Sequence, residues 1–214
     1  MKRVLFAMLA GLFVLGAAGL MPVLSQDMGG GMEGCAGEEC GGETTEPTET
    51  QKGSQDPNGV LKKMLGKWDM NFSLYMEPGK DPIKMKFVMK NEWALDEQFI
   101  KAEYDMKEGP FPHKGIEYFS YNEATEEYEE IRITSMSGSQ IVYKGSYDAE
   151  KKTLELKASY SGKWQGNKYT ATSREVYVWK DDDHFTCTVY TKYDDMPGMK
   201  EEVKEVEIVA TRMK

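Results

Sequence analysis

The stretch Gly66-Lys67-Trp68-Asp69-Met70-Asn71-Phe72-Ser73-Leu74-Tyr75-Met76 decides the fold. Trp68, Met70, Phe72, Leu74 and Met76 fall on every second position, with Asp69, Asn71 and Ser73 between them. Side chains of a strand point alternately to opposite faces, so this period puts one apolar row on one side and a polar row on the other. The pattern returns at Ile83, Met85, Phe87 and Met89, which alternate with Lys84, Lys86 and Lys90. Two half-buried antiparallel strands are predicted.

Weaker alternation continues through 98–104, 114–121, 128–135, 139–146, 153–160, 169–180, 184–192 and 203–212. That makes about ten strands. Turn chemistry separates them: Glu77-Pro78-Gly79, Asn122-Glu123, Ser137-Gly138, Asp148-Ala149, Gly162 to Gly166, Asp181-Asp182-Asp183 and Met196-Pro197-Gly198. With no helix between strands, the chain reads as an up-and-down meander, and closing it removes the two exposed edges. Upstream, Asp56 and Pro57 suit a helix start, and Val60, Leu61, Met64 and Leu65 form one apolar stripe that ends at Gly66. Residues 59–214 are therefore expected to form an all-β antiparallel barrel with one short N-terminal helix.

The rest of the chain has a different character. Lys2 and Arg3 precede an uncharged run from Val4 to Leu20, followed by Pro22 and Val23-Leu24-Ser25. This reads as a signal peptide over 1–25, with export to the periplasm or the exterior. The alternative is an uncleaved membrane anchor. Residues 26–58 are rich in Gly, Glu and Thr, and from Asp27 on hold eight acids against Lys52. A segment with so little to bury does not offset its ordering entropy and is expected to be a disordered linker. Of the net charge of −9, the leader contributes +2 and the linker −7, which leaves −4 for residues 59–214. An acidic balance argues against nucleic acid as a partner.

Gly66-Lys67-Trp68, just after a short helix, is similar to the lipocalin signature G-x-W. The wider set resembles a bacterial family of unknown function placed among the calycin-like barrels. The residues that carry it are Leu65-Gly66-Lys67-Trp68-Asp69, Met76-Glu77-Pro78-Gly79, Asn91-Glu92-Trp93, Phe119-Ser120-Tyr121-Asn122, Gly145-Ser146-Tyr147-Asp148 and Asp181-Asp182-Asp183-His184. The chain departs from the family pattern at Ser120, where Gly is preferred, and at Asp96-Glu97, which tends toward Gly-Gly. The resemblance implies a lipocalin-like closed barrel, with Gly66, Trp68 and Arg212 closing one end and Arg212 lying across the Trp68 ring.

Five constellations are candidates for function. Met70, Phe72, Met85, Phe87, Met89 and Trp93, together with Leu74, form an inward row that either lines a pocket for a small apolar ligand or fills the core. A cavity of several hundred Å³ lined by Met85, Phe87 and Trp93 would favour binding; a solid interior would favour a structural or interaction domain of the envelope. Arg132, Thr134, Thr170, Thr172 and Arg174 read first as an outer polar face, and as a carboxylate site only if they turn inward. Asp181-Asp182-Asp183-His184 and Asp194-Asp195 lack the spacing of a calcium loop, so no metal site is expected. Met28, Met32, Cys35 and Cys40 read as a local disulfide, free thiols or a soft-metal tail. His113 and His184 are the only histidines, and no nucleophile, zinc or phosphate-loop motif accompanies them, so no enzyme and no cofactor are expected. Cys187, between Phe185 and Val189, reads as a buried thiol.

Overall fold

A computed structural model describes residues 57–77, 79–164, 167–194 and 201–214. Helix α1 (Pro57–Lys62) leads into β1 (Gly66–Leu74), β2 (Ile83–Ala94), β3 (Phe99–Met106), β4 (His113–Asn122) and β5 (Glu127–Thr134). Then follow β6 (Gln140–Asp148), β7 (Thr153–Trp164), β8 (Asn167–Asp181), β9 (His184–Tyr193) and β10 (Val203–Arg212). Each strand pairs antiparallel with its sequence neighbour, and β1 closes on β10, with Trp68 opposite Arg212 and Leu74 opposite Val206. The domain is an all-β closed barrel of ten strands with one short helix. The expected signal peptide and nearly all of the linker lie outside the described residues. Pro57 and Asn58, assigned to the linker on composition, are the first two residues of α1.

The alternation predicted on β1 and β2 is the alternation observed. Trp68, Met70, Phe72 and Leu74 are buried, as are Met85, Phe87 and Met89, while Lys84, Lys86 and Lys90 are exposed. Gly162 departs from expectation. It is not a turn residue but lies within β7, and a Cβ there would sit 2.3 Å from the ring and hydroxyl of Tyr169 on β8. At Gly145 the need is stronger: an added Cβ would stand 1.8 Å from the Glu155 carbonyl oxygen, so β7 backbone occupies its place.

The end of the barrel that holds α1 is plugged. Val60, Leu61 and Met64 pack into the core, and the Met64 carbonyl accepts hydrogen bonds from Trp68 Nε1 at 2.8 Å and Asn91 Nδ2 at 2.7 Å. Arg212 lies 4.2 Å over the Trp68 ring. Its guanidinium also donates to the carbonyls of Leu65, Lys63 (3.0 Å) and Asp182 (2.8 Å). The last-turn carbonyls of α1, those of Val60, Leu61 and Lys62, accept from the backbone N–H groups of Lys63, Met64 and Leu65, and the side chains of Trp68, Asn91 and Arg212 take the three carbonyls that follow the helix. Gly66 is required on two counts: its φ is +104°, and a Cβ would lie 2.9 Å from Arg212 Nη1. The opposite end, where β3 meets β4 and β5 meets β6, is ringed by the segments 107–112 and 135–139.

Candidate functional site

The interior is not solid, but its cavity falls short of the several hundred Å³ expected of a binding pocket. A cavity of about 130 Å³ opens toward the end opposite α1, where Met106, His113, Met136 and Ser139 form its rim. Cavities of similar size in other proteins hold a single benzene ring. Met70, Phe72, Phe87 and Met89 form one wall, as their place on the inward row requires. Three members of that row stand elsewhere, Leu74 among them, buried but outside the lining. Met85 is buried, but its sulfur packs against the backbone at Gly109, in the loop between β3 and β4. Trp93 sits half-buried at the plugged end, paired with Ile100. Neither lines the cavity, because the strand outlasts the hollow at both ends.

The facing wall is polar, and Arg132 is its centre. The expected outer position of this residue is wrong: Arg132 points into the barrel, with 21% of its side chain open. Its Nε donates to Glu117 Oε1 at 3.0 Å. Nη1 and Nη2 fork onto Glu175 at 2.6 and 2.8 Å, and Nη2 also reaches Glu130 Oε1 at 2.6 Å. The guanidinium carbon stands 5.1 Å from the Tyr143 ring centroid. The Tyr177 hydroxyl, 3.2 Å from Glu130 Oε2 and 3.1 Å from Glu175 Oε2, donates to one of them. Thr134 follows Arg132 inward to the cavity, whereas Thr172 is exposed. Arg174 is also on the outside, paired with Glu202 at 2.8 Å and stacked 4.4 Å from Tyr190.

Three carboxylates therefore surround one cation in a site from which water is largely excluded. Burial is the largest influence on Glu117 and raises its carboxyl above the ordinary range, with Arg132 pulling down and Glu175 pushing up. Glu130 is held well above that range, first by burial, then by Glu175 and Glu117 against the pull of Arg132. Burial and the crowding of like charges thus both favour the protonated form of Glu117 and Glu130. A fourth interior acid, Glu205, is turned inward by a bulge that shifts the β10 register between Lys204 and Val206. It accepts a hydrogen bond from the Tyr193 hydroxyl at 2.6 Å, and burial raises its carboxyl too.

Asn91 closes the inner end of the cavity wall. A carbonyl only accepts, so the amide nitrogen must face Met64, and Asn91 Oδ1 is left as a buried acceptor without a partner among the described residues. At the rim, His113 Nδ1 donates to the Phe111 carbonyl at 2.9 Å, and Nε2 lies 3.5 Å from the Tyr104 hydroxyl. Cys187 is buried in the cavity wall, and burial raises its thiol well above the ordinary value. The acidic tip at Asp181–Asp183 is exposed and internally paired. Asp181 Oδ1 is 2.7 Å from His184 Nδ1, and Asp183 Oδ1 is 3.2 Å from Arg212 Nε. Met28, Met32, Cys35 and Cys40 lie outside the described residues.

Hydropathy hides the polar cluster. On β5 the inward row is Tyr128, Glu130, Arg132 and Thr134, while Ile131 and Ile133 face outward, the latter exposed. A rule that turns aliphatic residues inward inverts this strand. Parity counted from the aromatics Tyr128, Phe119 and Tyr177 finds it. Two steps from Tyr128 is Glu130, two from Phe119 is Glu117, and two from Tyr177 is Glu175.

A family model described as "Protein of unknown function (DUF1579)" matches residues 54–212. The crystal structure of Rv2717c from M. tuberculosis is similar, with a TM-score of 0.51 at 14% sequence identity, covering 75% of this chain and 99% of that chain. At that identity the likeness concerns the barrel fold alone. No curated protein matches the chain.

Proposed function

The chain belongs to the DUF1579 family of proteins of unknown function, and we propose that its barrel binds a small, largely apolar molecule entering from the end opposite α1. The cavity carries this reading. It is hollow where a barrel of this size is commonly filled by its own side chains, and methionine and phenylalanine form much of its wall. Methionine adapts to irregular shapes, and Phe87 and Tyr104, with ring centroids 5.1 Å apart and planes tilted 41° to each other, offer aromatic faces. The volume suits one ring or a short chain, not a large lipid. Native mass spectrometry of protein purified from its source tests the proposal. A retained mass increment, or a rise in melting temperature with single-ring compounds, is expected. A clean apo mass together with no thermal shift would sink it.

Export belongs to the same proposal, and Lys2 to Ser25 supports it. A mature chain that begins at Gln26, found in the extracytoplasmic fraction, is the expected result. An intact N-terminus in the cytoplasmic fraction would count against export.

A further inference from the structure

We propose that the occupant of the cavity carries a positively charged, hydrogen-bond-donating head, an ammonium or amidinium group, received by the Glu117 carboxylate and Asn91 Oδ1. This rests on the cavity being a ligand site and adds the chemistry of what fills it.

Two independent observations point the same way. Asn91 is 5% exposed, and its Oδ1 has no donor among the described residues. A buried acceptor left alone costs free energy that a donor on a ligand would recover. Separately, the interior holds Glu117, Glu130, Glu175 and Glu205, all buried, against the single guanidinium of Arg132. That guanidinium already bonds three carboxylates with a two-pronged fork on one of them. A ligand carboxylate would find the arginine occupied and would add a further negative charge. A cation instead meets an excess of buried carboxyl groups and would favour the ionised form of Glu117.

The placement fits. Asn91, Ala102, Glu117 and Arg132 are register partners in turn across β2, β3, β4 and β5. Asn91 and Glu117 are thus two strands apart, roughly 10 Å, and only the methyl of Ala102 stands between them in that row. Both line the cavity. Phe87 and Tyr104 are in the same wall, and aromatic faces attract cations.

Size-matched probes provide the test. Benzylamine, benzyl alcohol and benzoate are titrated separately into the folded full chain at neutral pH and followed by calorimetry. Benzylamine is expected to bind about tenfold more tightly than benzyl alcohol, as a charge-assisted hydrogen bond warrants, with benzoate weakest. Glu117→Gln is expected to erase most of that preference, and Asn91→Leu to weaken benzylamine in the same way. Benzyl alcohol or benzoate binding as tightly as benzylamine overturns the cationic head while the cavity reading stands. Failure of all three probes overturns both. The wild-type ranking decides the matter even if a variant does not fold.

Discussion

Glu130 is fully buried, and it is neighbour to two other carboxyls that compete for Arg132. A carboxyl held above its ordinary range in the fold is protonated in the native chain while the unfolded chain has already ionised. Its contribution is fully present below the unfolded value and is lost as pH rises toward the folded one, at about 1.4 kcal/mol per pH unit for each retained proton. Glu117 and Glu205 act in the same direction. The surface acids Glu129, Asp148 and Glu202, each lowered by a hydrogen-bonded Lys or Arg, act in the opposite direction, but only below the ordinary carboxylate range. The melting temperature is therefore expected to rise as pH falls from 8 to about 5. Glu130→Gln, which needs no proton to stay neutral, should flatten that slope and raise stability most at pH 8. Calorimetric melts of both proteins across that range check it, and identical slopes would refute the account.

At the scale of elements, the turn Leu95–Gln98 between β2 and β3 holds stored strain. Leu95, Asp96 and Glu97 have φ of 51°, 54° and 62°, three left-handed residues in succession, none of them glycine. Leu95 is also 69% exposed. Each such residue costs roughly 1–2 kcal/mol that glycine avoids, less the entropy glycine loses on folding. Glu97→Gly is expected to stabilise the domain by up to about 1 kcal/mol in urea unfolding, and a loss of stability would show the turn relaxed by other means. Much of the architecture was legible at this scale. Lysines alternating with Met85, Phe87 and Met89 could only make a half-buried strand, and Gly66-Lys67-Trp68 marked the plugged end. The polar heart was not legible, because Ile131 and Ile133 outweigh Arg132 in any hydropathy count. Asn91 Oδ1 was invisible for a different reason: an unpaired acceptor is a property of three-dimensional neighbours, not of residue type.

For the barrel as a whole, one arginine joins the first and last elements. Arg212, in the last strand, binds carbonyls of Lys63 and Leu65 at the foot of α1 and covers Trp68 in the first strand. Arg212→Ala removes several charge-assisted hydrogen bonds and the ring contact, and about 3 kcal/mol of stability should go with them. Trp68, fully buried now, should become partly wetted. A red-shifted tryptophan emission in the native variant is the expected sign, and an unchanged spectrum with unchanged urea midpoint would show that the plug does not depend on Arg212.

The plugged end has a practical consequence. Helix α1 begins there at Pro57 and β10 finishes there at Arg212, two residues short of the C-terminus. The C-terminal attachment point for a label, a fusion partner or a solid support is therefore on the face away from the rim. A barrel immobilised by its C-terminus would keep its opening toward solvent, so a surface-based sensor built on it needs no internal graft.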